Sequence, residues 1–173
     1  MTIKVTKPEI KLIEKLNELD FETLPHGKMP IGSIIQYASN TSSANSISTS
    51  STSFVDSGHD ILFTPHYANS KIIVKLQSRR FNLVSADVIE LKIMRDDTVN
   101  IGYKNNVTDG TIHFQDADSS ASNQIAIGLN YNWEDSPNTT AQVKYTPFFK
   151  VNTGTGYLAD SGGLQFYVYE IKQ

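Results

Sequence analysis

From Ile125 to Trp133 the chain alternates without a break: Ile125, Ile127, Leu129, Tyr131 and Trp133 take one parity, Ala126, Gly128, Asn130 and Asn132 the other. Successive side chains of an extended strand point to opposite faces, so this stretch specifies a long strand with one bulky face and one small, polar face. Shorter versions recur. Ile72, Val74 and Leu76 alternate with Lys71, Ile73 and Lys75, and Ile89, Leu91 and Ile93 with Glu90 and Lys92. Further strands are expected near Val143 to Val151 and Leu164 to Ile171. Between them lie Asp56-Ser57-Gly58, Asp109-Gly110 and Asp160-Ser161-Gly162-Gly163, which supply the positive φ that hairpins need, and Asp96-Asp97 before Thr98 reads as a plain hairpin turn. With no helical period from Phe54 onward, the expected class is all-β: an antiparallel β-sandwich or jelly roll.

A short amphipathic helix is expected ahead of it. Thr6 and Glu9 can form a capping box around Pro8. Ile10, Leu12, Ile13, Leu16 and Leu19 then recur at spacings of three and four, with Lys11, Glu14, Lys15 and Glu18 on the flanks. An isolated helix this short is marginal in water, so the stripe needs a partner. That partner is its own domain, a bundle of sister chains, or another protein to which it anchors. Leu24-Pro25-His26-Gly27-Lys28-Met29-Pro30 breaks the helix, which places an N-terminal anchoring peptide at 1–30 and the β domain at 31–173. Ile31 to Tyr37 reads as the first strand. From Ser39 to Ser53 the sequence is almost wholly Ser, Thr, Asn and Ala with Ile47 the one large apolar residue, and this run is expected to be an exposed loop.

The 173 residues suffice for one core with an appendage. A formal net charge of -3 offers no field for nucleic acid, and Lys75, Arg79 and Arg80 are too few for a phosphate-tracking stripe. Without cysteine, neither disulfides nor thiolate metal sites can support the fold. The apolar runs are too short to cross a bilayer, and Met1-Thr2-Ile3-Lys4 lacks the core of a signal peptide, so synthesis in a cytoplasm without membrane insertion is expected.

Tools for catalysis are sparse. The sequence holds no G-x-S-x-G, Walker or H-E-x-x-H motif, and His26, His59, His66 and His113, read as lying in or beside turns, form no metal-binding pair by spacing. No catalytic residue, metal or cofactor is expected. Asp116 and Asp118, beside Ser119 and Ser120, either contribute oxygens to a hard cation or ligand or simply cap their own turn. Tyr131 and Trp133, near Glu134 and Asp135, either form an aromatic and acidic platform of the kind that grips sugars or, sharing parity with Ile125 to Leu129, belong to the core. The last strand is apolar on both faces: Leu164, Phe166 and Val168 against Tyr167, Tyr169 and Ile171. Such a strand either is central in its own fold or has a partner subunit over its second face, as in a homotrimer of jelly rolls whose tyrosines fill the axis.

Several segments resemble virion structural proteins of marine cyanophages and related phages. They are Met1 to Ile10, Glu14 to Asp20, Met29 to Gln36, Thr52 to Gly58, Phe63-Thr64-Pro65, Asn69 to Val74, and the closing Phe166-Tyr167-Val168-Tyr169-Glu170-Ile171. The pattern is departed from at His59-Asp60 and His66-Tyr67, where small residues are more usual. The resemblance implies a non-enzymatic virion protein, a tail fibre or spike whose N-terminal segment, with Ile10, Leu12, Ile13, Leu16 and Leu19, binds other virion proteins. The β domain would project from the particle surface and contact a host glycan or protein. A capsid-surface decoration protein and a lectin-like carbohydrate-binding module are the alternatives.

Overall fold

The computed structural model describes residues 25–42, 46–84, 88–102, 112–115, 124–160 and 163–173. The chain divides into two compact units, Met1–Pro30 and Ile31–Gln173. In the first, the described residues form one 3-10 turn, His26–Lys28, closed by Lys28 N–H donating to Pro25 O at 2.7 Å. The expected helix, with Ile10, Leu12, Ile13, Leu16 and Leu19, lies outside the described residues.

The second unit is all-β. Its described strands are β1 (Ile34–Ser42), β2 (Ser46–Thr49), β3 (Val55–Asp56), β4 (Ile61–Phe63), β5 (Lys71–Val84), β6 (Val88–Arg95), β7 (Val99–Asn100), β8 (Ile112–Gln115), β9 (Gln124–Asp135), β10 (Val143–Val151), β11 (Thr155–Asp160) and β12 (Leu164–Ile171). The first sheet runs β1-β12-β5-β11-β2, with β9 along the other edge of β5; the second runs β3-β10-β6-β7, with β4 on β10 and β8 on β6. Every pairing is antiparallel, and four of them nest. β1 pairs with β12, β4 with β10, β5 with β9, and β6 with β8, so the chain returns along itself like one long hairpin folded over.

The alternation read from the sequence builds the core between the sheets. Ile72, Val74 and Leu76 of β5 meet Ile89, Leu91 and Ile93 of β6 in one buried cluster, joined by Tyr145, Phe149 and Val151 of β10 and by Leu164, Phe166 and Val168 of β12. Each such fully buried side chain contributes about 1.5–3 kcal/mol relative to exposure. β5 is too long to keep one parity. Between Ser78 and Phe81 it takes one extra residue against β9, and past this bulge the odd positions Phe81 and Leu83 turn inward where the even positions did before.

Three findings depart from the sequence reading. The Ser39 to Ser53 run is not wholly loop: β1 continues to Ser42, and Ser46–Thr49 pairs with β11 while Ile47 packs on the core. Backbone pairing needs no apolar side chain, so polar composition did not reveal these strands. On β9, Leu129 and Trp133 are buried but Ile127 and Tyr131 are 37% and 48% exposed. Parity fixes which face a residue shares; whether that face is covered depends on the sheet opposite, and among the described strands β9 lies at the edge. His113 sits within β8 rather than in a turn.

Polar groups lock the ends of the sheets. Glu170 is the last inward residue of β12 and fully buried. Its carboxylate accepts the N–H groups of His66 (2.8 and 2.9 Å) and Tyr67 (3.1 Å) and the hydroxyl of Ser70 (2.7 Å), so a turn of the backbone solvates the charge in place of water. Asp135 of β9 accepts both the Arg95 guanidinium of β6 at 2.7 Å and the Tyr145 hydroxyl of β10 at 2.8 Å, tying the first sheet to the second. The β6–β7 turn has Asp96 and Asp97 at φ 50° and 56°, the two positive values a type I′ turn demands.

Candidate interaction face

On β12 the residues between the buried ones point away from the core, and β1 and β5 present their own alternates beside them. Register sets Tyr37 opposite Tyr169, and Tyr169 opposite Ile73. Ser39 stands opposite Tyr167, and Tyr167 opposite Lys75; Ile171 stands between Ile34 and Lys71. Residues directly opposite share a face, so Tyr37, Tyr167, Tyr169, Ile73, Ile34 and Ile171 form one continuous surface on the outside of the first sheet.

The three tyrosines are mutually packed. Tyr37 lies 5.3 Å from Tyr169 and 6.1 Å from Tyr167, and Tyr167 lies 6.3 Å from Tyr169, centroid to centroid, with planes 28° to 41° apart. Offset ring pairs of this kind stabilise by about 0.5–1.5 kcal/mol each beyond area burial. The cluster nevertheless stays open: Tyr37 is 53% and Ile34 54% exposed. Burial pushes the Tyr169 phenol above its usual pKa, and the neighbouring Tyr37 and Tyr167 add to the effect. Lys75 stands within the face opposite Tyr167, and at the flank Lys71 Nζ meets Glu134 at 2.7 Å.

A face of tyrosine and isoleucine can bury apolar area and offer hydroxyls at its margin. Aromatic enrichment is a mark of interface centres.

The residues singled out from the sequence fall differently. Asp116 and Asp118 lie outside the described residues, as do Ile10, Leu12, Ile13, Leu16 and Leu19. Tyr131 and Trp133 are neighbours, 6.0 Å apart at 30°, but Trp133 is only 6% exposed and belongs to the core, so a ligand could reach only the Tyr131 ring. Tyr167 and Tyr169 were visible as the second apolar face of β12. Tyr37 and Ile73 were not, because only the register brings them alongside. His59 is buried with Nε2 at 3.0 Å from Asn40 O. Among the described residues no group of His, Asp or Glu could hold a metal ion, and no helix is long and apolar enough to cross a membrane. No protein-family model matches the chain, and no curated protein matches it.

Proposed function

We propose that this chain is a structural protein of a bacteriophage particle: a jelly-roll domain that assembles as a homotrimer through the outer face of its first sheet and is held to other virion proteins by its N-terminal segment. The observation that carries the assembly is the open tyrosine and isoleucine face around Tyr37, Tyr167 and Tyr169. The jelly-roll assignment rests on strand order. Numbering β1, β4, β5, β6, β8, β9, β10 and β12 from one to eight, the sheets contain 1-8-3-6 and 2-7-4-5, the order made when a long hairpin of nested pairs is rolled into two layers. The particle assignment rests on the resemblance of the N-terminal, central and C-terminal segments to phage virion proteins. A tail fibre or spike, with the β domain projecting toward the host, is the form this reading takes.

Light scattering on the full chain at micromolar concentration tests the assembly. A mass of three chains is expected, falling to that of one chain for Tyr169→Lys, which places a charge in the face while leaving the core residues of β12 untouched. A single-chain mass for the unsubstituted protein would remove the trimer from the reading. Antibody against the chain should label purified particles at the tail; labelling spread over the head would transfer the assignment to capsid decoration.

A further inference from the structure

The first sheet has a seam. Along one edge of β5, β12 accompanies it from Lys71 to Ser78, and β11 takes over only at Asn82. Arg79 and Arg80 fall in the gap, at the same bulge where β5 slips against β9. Bulges re-aim side chains and interrupt pairing, and both happen here. The seam opens into a depression of about 380 Å³ lined by Gln77, Ser78, Arg79, Leu129, Gly163 and Gln165. That volume is within the range of small-ligand sites.

The two arginines differ. Arg80 is matched by Asp160 at 3.4 Å. Arg79 is exposed, has no acidic partner among the described residues, and lines the depression. Its guanidinium is a planar fork suited to a carboxylate. Beside it, Gln77 and Gln165 stand opposite each other across β5 and β12, and their amides can both donate to and accept from hydroxyls. Among the described residues the lining holds no carboxylate, which disfavours a cation, and no aromatic ring on which a neutral sugar would stack. One forked cation with two amides is the complement of a small anion that also bears hydroxyls.

We propose that this seam binds an acidic sugar, the carboxylate of a uronate-type residue paired with Arg79 and its hydroxyls held by Gln77 and Gln165. The site stands on the geometry of the seam and does not depend on the particle reading. If that reading also holds, the ligand is a charged residue of a host surface polysaccharide.

The test is a titration of the full chain with glucuronate, followed by backbone amide NMR, with glucose and inorganic phosphate in parallel. Glucuronate should give saturable shifts at Gln77 to Phe81 and at Leu164 and Gln165, with glucose and phosphate at least about tenfold weaker, because each supplies only half of the recognised chemistry. Arg79→Gln should weaken glucuronate about tenfold with thermal midpoint and solution mass unchanged, and Arg79→Lys, keeping charge without the fork, should fall between. An oligoglucuronate that binds more tightly than the monosaccharide would mark a polymer as the source, and equal affinity the free sugar; either supports the site. Phosphate binding as tightly as glucuronate, shifts confined to other strands, or full affinity in Arg79→Gln would overturn it. Solution mass read on the same samples keeps failure of this site distinct from failure of the trimer.

Discussion

Phe54 and Tyr169 are both aromatic rings on the outside of a sheet, and the chain treats them differently. On the second sheet, Lys92 and Lys150 place their ammonium groups 4.0 and 4.9 Å from the Phe54 centroid, and Lys150 also pairs with Glu90 at 3.0 Å. The ring is covered by its own chain, and Lys92 is itself buried. On the first sheet Tyr169 packs against Tyr37 and Tyr167, and that cluster remains open. Phe54 is covered intramolecularly, although Leu62 of the same sheet stays exposed; the first sheet presents apolar rings with nothing of this chain's described residues over them. Stability should therefore follow the inward faces of both sheets, while association should follow the outward face of the first alone.

The comparison is broken most severely at Glu170, an inward residue of the first sheet. Glu170→Ala leaves the N–H groups of His66 and Tyr67 and the Ser70 hydroxyl without their acceptor in a fully buried site. Unfolding by denaturant should show a loss of about 3 kcal/mol or more, since each stranded donor costs on the order of 1–3 kcal/mol. A loss under about 1 kcal/mol would mean that water replaces the carboxylate and that the turn is less closed than its hydrogen bonds imply.

Contact between the sheets is probed at Gly156. A Cβ there would stand 2.5 Å from Val151 Cγ1 and 2.8 Å from Ile89 Cδ1, so strand β11 of the first sheet sits against the second with no room for a methyl group. Gly156→Ala should cost about 1–3 kcal/mol through overpacking. An unchanged thermal midpoint would show that the sheets can part locally, which would weaken the division between a rigid interior and a permissive outside.

Tyr145 sharpens the same division by pH. Its phenol is held well above the ordinary tyrosine pKa, first by burial and then by the repulsion and hydrogen bond of Asp135. The folded state keeps the proton where the unfolded chain releases it, so the associated stability is whole below about pH 10 and is lost as pH rises toward the folded pKa. Denaturation between pH 9 and 11 should steepen toward about 1.4 kcal/mol per pH unit, and Tyr145→Phe should remove that slope while costing about 1 kcal/mol at neutral pH. An equal slope in the variant would assign the alkaline loss to other groups, Tyr169 first among them, since its shift has the same sign.

How much of this was legible in the sequence divides along the same line. Period two marked the inward residues of β5, β6 and β12 and the bounds of β10 and β12, because burial on one face writes itself into one strand at a time. The bulge at Arg79 and Arg80 was not legible: it breaks the period just where apolar residues resume, and only the partner register of β9 distinguishes an extra residue from the end of a strand. Tyr37 could not be joined to Tyr167 and Tyr169 for a related reason, as it stands some hundred and thirty positions away in the chain and the pairing of first strand with last is a property of topology. Nothing in the run of β12 marks Glu170 out. Its role depends on a turn at His66 to Ser70 whose amides carry no side-chain signature.

The smallest effects fall on the two rings that opened the comparison. Phe54→Ala should cost about 0.5–1 kcal/mol, the order of a partly exposed cation–π contact, and should leave the solution mass unchanged because the ring is already covered by Lys92 and Lys150 of its own chain. Tyr37→Ser should cost an isolated chain about 1 kcal/mol through its ring pairs with Tyr167 and Tyr169, and should also lower the average mass in light scattering by weakening contacts between copies. The contrast is in the mass: both substitutions lower the denaturation midpoint by a similar small amount, and only Tyr37→Ser lowers the mass. If Phe54→Ala dissociates the assembly while Tyr37→Ser does not, the copies meet through the second sheet, and the open tyrosine face belongs to a different partner.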